Sequence, residues 1–258
     1  MPPVLPAVIG MSGDVAPDRA PELARKLVAG LPLGAAEPDG VVEPSMKPGR
    51  RLLVVNKPER TQTQILVATL GTSAHDDDHV DLVVSNAVFG GTFTSRLVRE
   101  VRSKRGWSYG ASSRMSVDRH RQAWLMWTFP AAQDAAACLK LTIDLLTSWV
   151  DKGISRSEVA FIQRYLVRSH AFEVDTAAKR LHQALDVDLL ALPDDYYTAW
   201  VPRVRGVTRE GASGAAKRRI RVENLLIVVV GTAAQVLEPL RGAVGELAET
   251  SVVAFDAE

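Results

Sequence analysis

The sequence predicts an α+β fold in which helices pack on a mainly antiparallel sheet. Strand and helix patterns occur in blocks rather than in strict alternation, which is typical of this class. Residues 107–117 and 121–129 indicate two strands of a hairpin around Asp118-Arg119. The chain has 258 residues, 47% of them hydrophobic, so it can bury a sizeable core.

The first fifty residues predict two short elements followed by a linker. Residues 4–10 have an apolar strand pattern, and Pro17 opens a helix that extends to about Val28. Residues 33–50 are rich in Pro, Gly and Glu without periodicity, which indicates a linker. A single strand and helix do not close a core, so we expect another surface to cover residues 1–32.

Residues 51–129 predict strands and helices in close succession. The elements in order are strands at 52–55 and 63–70, helices at 76–89 and 94–104, and the hairpin. Aspartates at the start of the first helix suit its positive amino-terminal end. We expect Gly90-Gly91 to end that helix, Thr94 to cap the second and Gly106 to stop it.

The remainder predicts several helices and one strand. Apolar residues recur at helical spacing at Leu139, Ile143, Leu146 and Val150. Ser155 and Glu158 form a capping box for the next helix. The later elements are a helix beginning at Thr176, a buried strand at 225–230, a helix at 234–241 and a tail at 243–258. Residues 51–242 are thus predicted to form one domain.

Composition excludes several classes of function. The net charge of +1 gives no bulk reason to expect a nucleic-acid partner, and we interpret the basic run at 217–219 as a solvated face. Cys138 is the single cysteine, so there is no internal disulfide or cysteine zinc motif, and its alanine neighbours indicate a buried position. No apolar run reaches the ~20 residues that span a bilayer. The first residues lack the basic segment of a signal peptide. We expect a soluble protein, and the compartment stays open between cytoplasm and periplasm.

One long motif carries a family resemblance. Residues 89–110 read Phe-Gly-Gly-Thr-Phe-Thr-Ser-Arg-Leu-Val-Arg-Glu-Val-Arg-Ser-Lys-Arg-Gly-Trp-Ser-Tyr-Gly. This segment resembles one in the second domain of M16 zinc peptidases, the family of insulinase and the mitochondrial processing peptidase. The similarity extends over about residues 51–242. Residues 1–32 resemble the closing strand and helix of the family's first domain, whose bulk is absent, so we expect the natural start to lie upstream.

The resemblance implies a substrate-binding role for two side chains. In the family, the first domain carries the zinc motif His-x-x-Glu-His, whereas the second domain carries an Arg and a Tyr that bind the substrate main chain. These two correspond to Arg102 and Tyr109. An Arg at the end of a helix and a Tyr beyond a glycine turn can converge on one peptide carbonyl, whose oxygen gains charge during hydrolysis. Zinc is then expected in a partner or missing amino-terminal half, with no cofactor bound by this chain.

Gly90 and Gly91 have two interpretations. They lack both the dinucleotide fingerprint and the Walker lysine, so a phosphate loop is excluded. They are either a helix stop that permits close chain approach or a glycine loop that contacts the substrate. Arg96, which begins the next helix, can hold that loop, meet a partner subunit or lie on the surface.

His75 and His79 form an alternative metal site, with Glu158 as a third ligand. Their spacing is that of an inverted zinc motif, with Asp78 in the place of the general-base Glu. Asp is one methylene shorter, which withdraws the base from a metal-bound water. His75 is also expected to precede the helix. We therefore favour a polar, acidic helix start without a metal.

The sequence leads to two hypotheses on function. In the first, the chain is the substrate-binding, zinc-lacking half of an M16 metallopeptidase, which hydrolyses peptides together with a zinc-bearing half and is not catalytic alone. In the second, it is a non-proteolytic structural subunit of the same family. Retention of Arg102 and Tyr109 favours the first, because a scaffold needs neither. Either hypothesis predicts a homo- or hetero-oligomer.

Overall fold

Six strands form one sheet in the computed structural model, which describes residues 7–31 and 40–256. The strands are β1 (Arg51–Asn56), β2 (Gln64–Leu70), β3 (Ala111–Met115), β4 (Ala123–Thr128), β5 (Leu226–Gly231) and β6 (Glu249–Ala254). Their order across the sheet is β3-β4-β2-β5-β1-β6. The pairs β3–β4, β4–β2 and β2–β5 are antiparallel, whereas β1 runs parallel to β5 and β6. This arrangement confirms the predicted fold class.

The helices surround one principal core. They are α1 (Ala20–Val28), α2 (His79–Asn86), α3 (Arg96–Val98), α4 (Ala135–Lys152), α5 (Arg156–Ser169), α6 (Ala177–Leu189), α7 (Trp200–Gly206), α8 (Arg209–Arg219) and α9 (Ala233–Val244). Two π-helical turns, Ala87–Gly91 and Arg99–Ser103, extend α2 and α3 respectively. One short 3₁₀ turn lies before α4, and another follows α5.

One face of the sheet and the helices above it form the core. Alternate residues of the strands are buried on this face, including Leu52, Val54, Ile65, Val67, Ile227 and Val229. At its centre, the Phe89 ring stacks on Trp149 with centroids 4.6 Å apart. The indole N–H groups of Trp124 and Trp149 are both buried, so each needs a hydrogen-bond acceptor. Trp124 donates to Asn86 at 2.7 Å and Trp149 donates to Ser85 at 3.0 Å.

The opposite face of the sheet is apolar but only half-buried. Its residues include Leu53, Val55, Leu66, Leu125, Trp127 and Val228. A strand that is apolar on both faces is typical of a sheet covered on both sides. The described residues cover only one of them fully, which leaves a surface suited to another polypeptide.

Several predicted elements need correction. Residues 249–254, predicted to lie in a tail, form β6, because they continue the sheet beside β1. Helices α7 and α8 were not predicted, because three buried alanines in place of large apolar residues form much of the inner face of α8. In the predicted first strand, residues 7–10 have no regular structure and residues 4–6 lie outside the described part.

Of the other predictions, the caps of α5 and α6 and the burial of Cys138 are confirmed, and the cap of α3 is wrong. The capping box of α5 is present, and Thr176 caps α6 by accepting a hydrogen bond from the backbone of Lys179. Ser95 caps α3 rather than the predicted Thr94. Cys138 is fully buried, and burial raises the pKa of its thiol to about 11.

Candidate functional site

Two π-helical turns shape the region that contains the sequence motif. The first ends α2 at Gly91, and the second, Arg99–Ser103, carries Arg102. π-Helical turns are rare and occur frequently at functional sites, because they displace side chains from their regular helical positions. The exposed residue Phe93 lies in the short segment between them.

Arg102 contacts two exposed aromatic rings. Its guanidinium carbon lies 4.6 Å from the centroid of the Phe93 ring and 4.2 Å from that of the Tyr109 ring. The two aromatic residues are 71% and 85% exposed. Stacking uses the flat faces of a guanidinium and leaves its N–H donors available. Within the described ranges, the Arg102 guanidinium makes no hydrogen bond or ion pair.

The neighbouring cations are paired. Glu100 binds Lys104 at 2.7 Å and Arg105 at 2.9 Å. Arg96 donates to both carboxylate oxygens of Glu158, each at 2.7 Å, so it ties the start of α3 to α5. Arg96 therefore has an internal structural contact, and a role at a partner subunit stays a prediction. The motif therefore leaves Arg102 with donors available to a ligand.

The loop before β3 fixes the position of Tyr109. Gly106 has a φ of 65°, and its N–H donates to the Arg102 carbonyl at 3.0 Å, which ends the helix as predicted. The buried Ser108 hydroxyl donates to the Gly110 carbonyl and accepts from the Phe129 N–H at 2.8 Å. These bonds hold the loop while the Tyr109 side chain stays in solvent. Tyr109 was predicted on a strand, but β3 begins two residues later.

Gly90 and Gly91 meet different steric demands. A Cβ on the buried Gly90 would lie 2.8 Å from the backbone nitrogen of Ser113, so this position requires close approach to β3. A Cβ on the exposed Gly91 would lie 3.2 Å from the Asn86 amide nitrogen, a milder contact. The close-approach interpretation thus fits Gly90. That either glycine contacts a substrate stays a prediction.

The alternative metal ligands do not share a site. His79 is buried, with Nδ1 2.9 Å from the Thr72 hydroxyl and Nε2 3.0 Å from the Tyr196 hydroxyl. Burial lowers the pKa of His79 to about 4 despite the charges of Asp76 and Asp78. His75 is exposed in a turn before α2, as predicted. Among the residues that the structure describes, no group of three His, Cys, Asp or Glu could hold a metal ion.

The carboxylates that the metal hypothesis involved serve structural roles. Burial raises the pKa of Glu158, but hydrogen bonds from Arg96 and Ser155 outweigh it and lower the pKa to about 2. Asp78 binds Arg219 at 2.7 Å and Arg218 at 3.0 Å. The basic run at 217–219 is therefore not simply a solvated face, because two of its arginines anchor α8 to the start of α2.

The structure thus brings Arg102 and Tyr109 together and adds Phe93, to which sequence reasoning assigned no role. An exposed aromatic residue inside a glycine- and threonine-rich loop was the signal that could have found it.

The family assignment follows from a match to the sequence profile of the peptidase M16 inactive domain. The match covers residues 7–166, which is more than half of the chain. The chain belongs to this M16 family. Since it matches the inactive domain, it is a zinc-lacking M16 domain, in agreement with the resemblance in the motif.

Known M16 proteins show how much of a typical relative this chain represents. The non-peptidase homolog YmxG of Helicobacter pylori is 21% identical over 228 residues, which are 86% of this chain and 51% of that protein. A peptidase M16 inactive domain from Pseudomonas fluorescens is 26% identical with a TM-score of 0.76, covering 85% of this chain and 52% of that one. The chain spans about half the length of these relatives.

A further solved structure extends the likeness in fold. A protease from Helicobacter pylori has a TM-score of 0.73 at 16% identity over 85% of this chain and 53% of its own. At this identity the likeness shows the M16 fold alone. No helix within the described ranges is long and apolar enough to cross a membrane.

Proposed function

We propose that this chain is the peptide-binding half of an M16 peptidase and acts together with a zinc-bearing M16 half. The observation that carries the proposal is the Arg102 guanidinium, which is oriented by two aromatic rings while its donors remain available. An exposed arginine ordered in this way is suited to bind a carbonyl group, because little conformational freedom is lost on binding.

Arg102 and Tyr109 would hold the main chain of the substrate. The guanidinium provides a planar set of N–H donors, and the phenol provides one O–H donor beside it. Donors that are already in position stabilise the negative charge that develops on a carbonyl oxygen during hydrolysis. The zinc-bearing half would supply the activated water.

Two observations support a second M16 half as the partner. The chain spans about half of its relatives, and the apolar face of its sheet is only half-buried. A half-buried surface of leucine, valine and tryptophan side chains is stabilised when another polypeptide covers it. The exposed α1, which buries none of its residues, lies in the region expected to meet that partner.

Reconstitution with the zinc-bearing M16 chain of the same organism tests this proposal. We expect cleavage in a peptide library only when both chains are present. Arg102→Lys should then lower turnover by at least about tenfold, because an ammonium group does not reproduce the planar fork. A stable complex that cleaves no peptide, or an unchanged rate in the Lys variant, would contradict the proposal.

A non-proteolytic structural subunit is the second candidate. The observation in its favour is the relative from Helicobacter pylori that is named a non-peptidase homolog. In that case the complex with another M16 chain forms, but substitutions of Arg102 and Tyr109 change neither its assembly nor any activity.

A further inference from the structure

A groove along α5 combines exposed aromatic rings with arginines. Six residues line this α5 groove, which has a volume of about 370 Å³: Phe161, Arg164, Tyr165, Arg168, Ser169 and Phe172. Phe161 and Tyr165 are each 47% exposed, and Phe172 is 71% exposed. Solvated helix faces rarely carry three large rings, so this patch has the composition of a binding surface.

The two arginines of the groove have no partner in the described part of the chain. Arg164 and Arg168 are exposed and one helical turn apart, and neither guanidinium forms a hydrogen bond or ion pair there. Two other arginines near α5 are paired, since Arg96 is bound to Glu158 and Arg203 is bound to Asp195. The groove therefore presents two positive charges whose donors are available.

Adjacent cavities extend the groove at both ends. Phe161 also lines a smaller cavity beside Thr92 and Thr94, the residues on either side of Phe93. Ser169 also lines a cavity of about 450 Å³ that contains Tyr196 and Trp200. Each neighbouring cavity shares one lining residue of α5 with the groove, and we interpret the three as adjoining parts of a track that suits an extended chain.

We propose that the α5 groove binds an acidic, aromatic-containing peptide segment and thereby selects the substrate. This inference rests on the proposed function, because the track leads toward the segment that carries Phe93. Carboxylates of the peptide would accept from Arg164 and Arg168, and its apolar side chains would pack on the three rings. A nucleic acid fits less well, because two arginines neutralise only two phosphates and the net charge of the chain is +1.

Fluorescence anisotropy with the full chain tests the groove directly. The probe is a short fluorescein-labelled peptide in which glutamate and phenylalanine alternate, compared with one in which lysine replaces glutamate. We expect only the acidic peptide to bind, and Arg164→Gln with Arg168→Gln to weaken it about tenfold. Tyr165→Ala with Phe172→Ala should weaken it by a similar factor. Lys152→Gln with Lys217→Gln is the matched control, which removes two exposed charges outside the groove.

Four results would overturn the inference: equal binding of both peptides, equal weakening in the lysine control, tighter binding of a labelled single-stranded oligonucleotide, and self-association that the arginine variant abolishes. The assay needs no zinc partner and no turnover, so its outcome is separate from that of the proposed function. If the peptide binds to the groove but the reconstituted complex has no peptidase activity, the groove is still a peptide-binding site and the proposed peptidase role is wrong.

Discussion

Two charged regions of this domain differ in how their polar side chains are paired. The turn that leads into α2 contains His75, Asp76, Asp78 and His79, and the second π-helical turn contains Arg102 among other charged residues. In the first region the buried polar groups are bound within the domain. In the second, the Arg102 guanidinium stacks on two rings and has no hydrogen bond or ion pair to the described residues.

The difference shows how to separate structural polar residues from binding residues. A buried polar group must be paired, since an unpaired one costs free energy, so the pairs of His79 and Asp78 explain their presence without a ligand. For the exposed Arg102, stacking on the two rings contributes only about 0.5–1 kcal/mol. We propose that a bound ligand uses the donors that the stacking leaves available.

Loss of a carboxylate in the first region should lower stability strongly. Asp78→Asn leaves the partly buried Arg219 without one of its ion pairs, and we expect the free energy of unfolding to fall by about 2–3 kcal/mol. The matched change in the second region, Arg102→Gln, should alter it by no more than about 0.5 kcal/mol. Urea unfolding of both variants measures the difference between their free energies of unfolding. Equal losses in the two variants would contradict this prediction.

The stability of the domain should depend on pH through His79. Its pKa is lowered by burial from 6.5 to about 4, so the unfolded chain binds more protons than the folded domain between these values. Stability therefore rises with pH across this window, by on the order of 3 kcal/mol. His79→Gln should flatten this part of the profile, although it lowers stability overall. An unchanged slope in that variant would assign the dependence to other groups.

The two glycines should differ in a smaller way. Gly90→Ala places a methyl group against the backbone of β3 and should lower the free energy of unfolding by about 1–3 kcal/mol. Gly91→Ala meets the side-chain nitrogen and the backbone oxygen of Asn86 at the longer distance of 3.2 Å, and it should cost less than about 1 kcal/mol. Thermal unfolding compares them. If Gly91→Ala is fully stable but impairs peptide binding, the substrate-loop interpretation holds for that residue.

The sequence predicted much of the fold because its signals were local. Caps such as Ser155 and Thr176, and the alternation of Ile65 and Val67, depend on neighbouring residues. Helix α8 was not predicted, because Ala212 and Ala215 become core residues only through tertiary packing. Strand β6 was not predicted, because residues 249–254 form a strand by pairing with β1. The pairs of Asp78 with Arg218 and Arg219 were not predicted either, because these residues lie 140 and 141 positions away in the sequence.

The candidate site was predictable only in part. The spacing of Arg102 and Tyr109 within the motif indicated that they converge, and the structure places them in contact. Phe93 stacks on Arg102 between two π-helical turns, and no local sequence pattern predicted these turns. The ion pairs of Lys104 and Arg105 with Glu100 distinguish these two cations from Arg102, and the sequence alone did not predict them.

Replacement of Tyr109 by Phe is the most direct test of the central claim. The change removes one hydroxyl and keeps the ring against Arg102, so folding and assembly should be unaffected. In the reconstituted complex with a zinc-bearing half, we expect turnover to fall about 10²–10³-fold, as for the loss of one donor to a developing oxyanion. Turnover at the original rate would show that Tyr109 does not bind the reacting carbonyl, and the structural-subunit role would then be the better account.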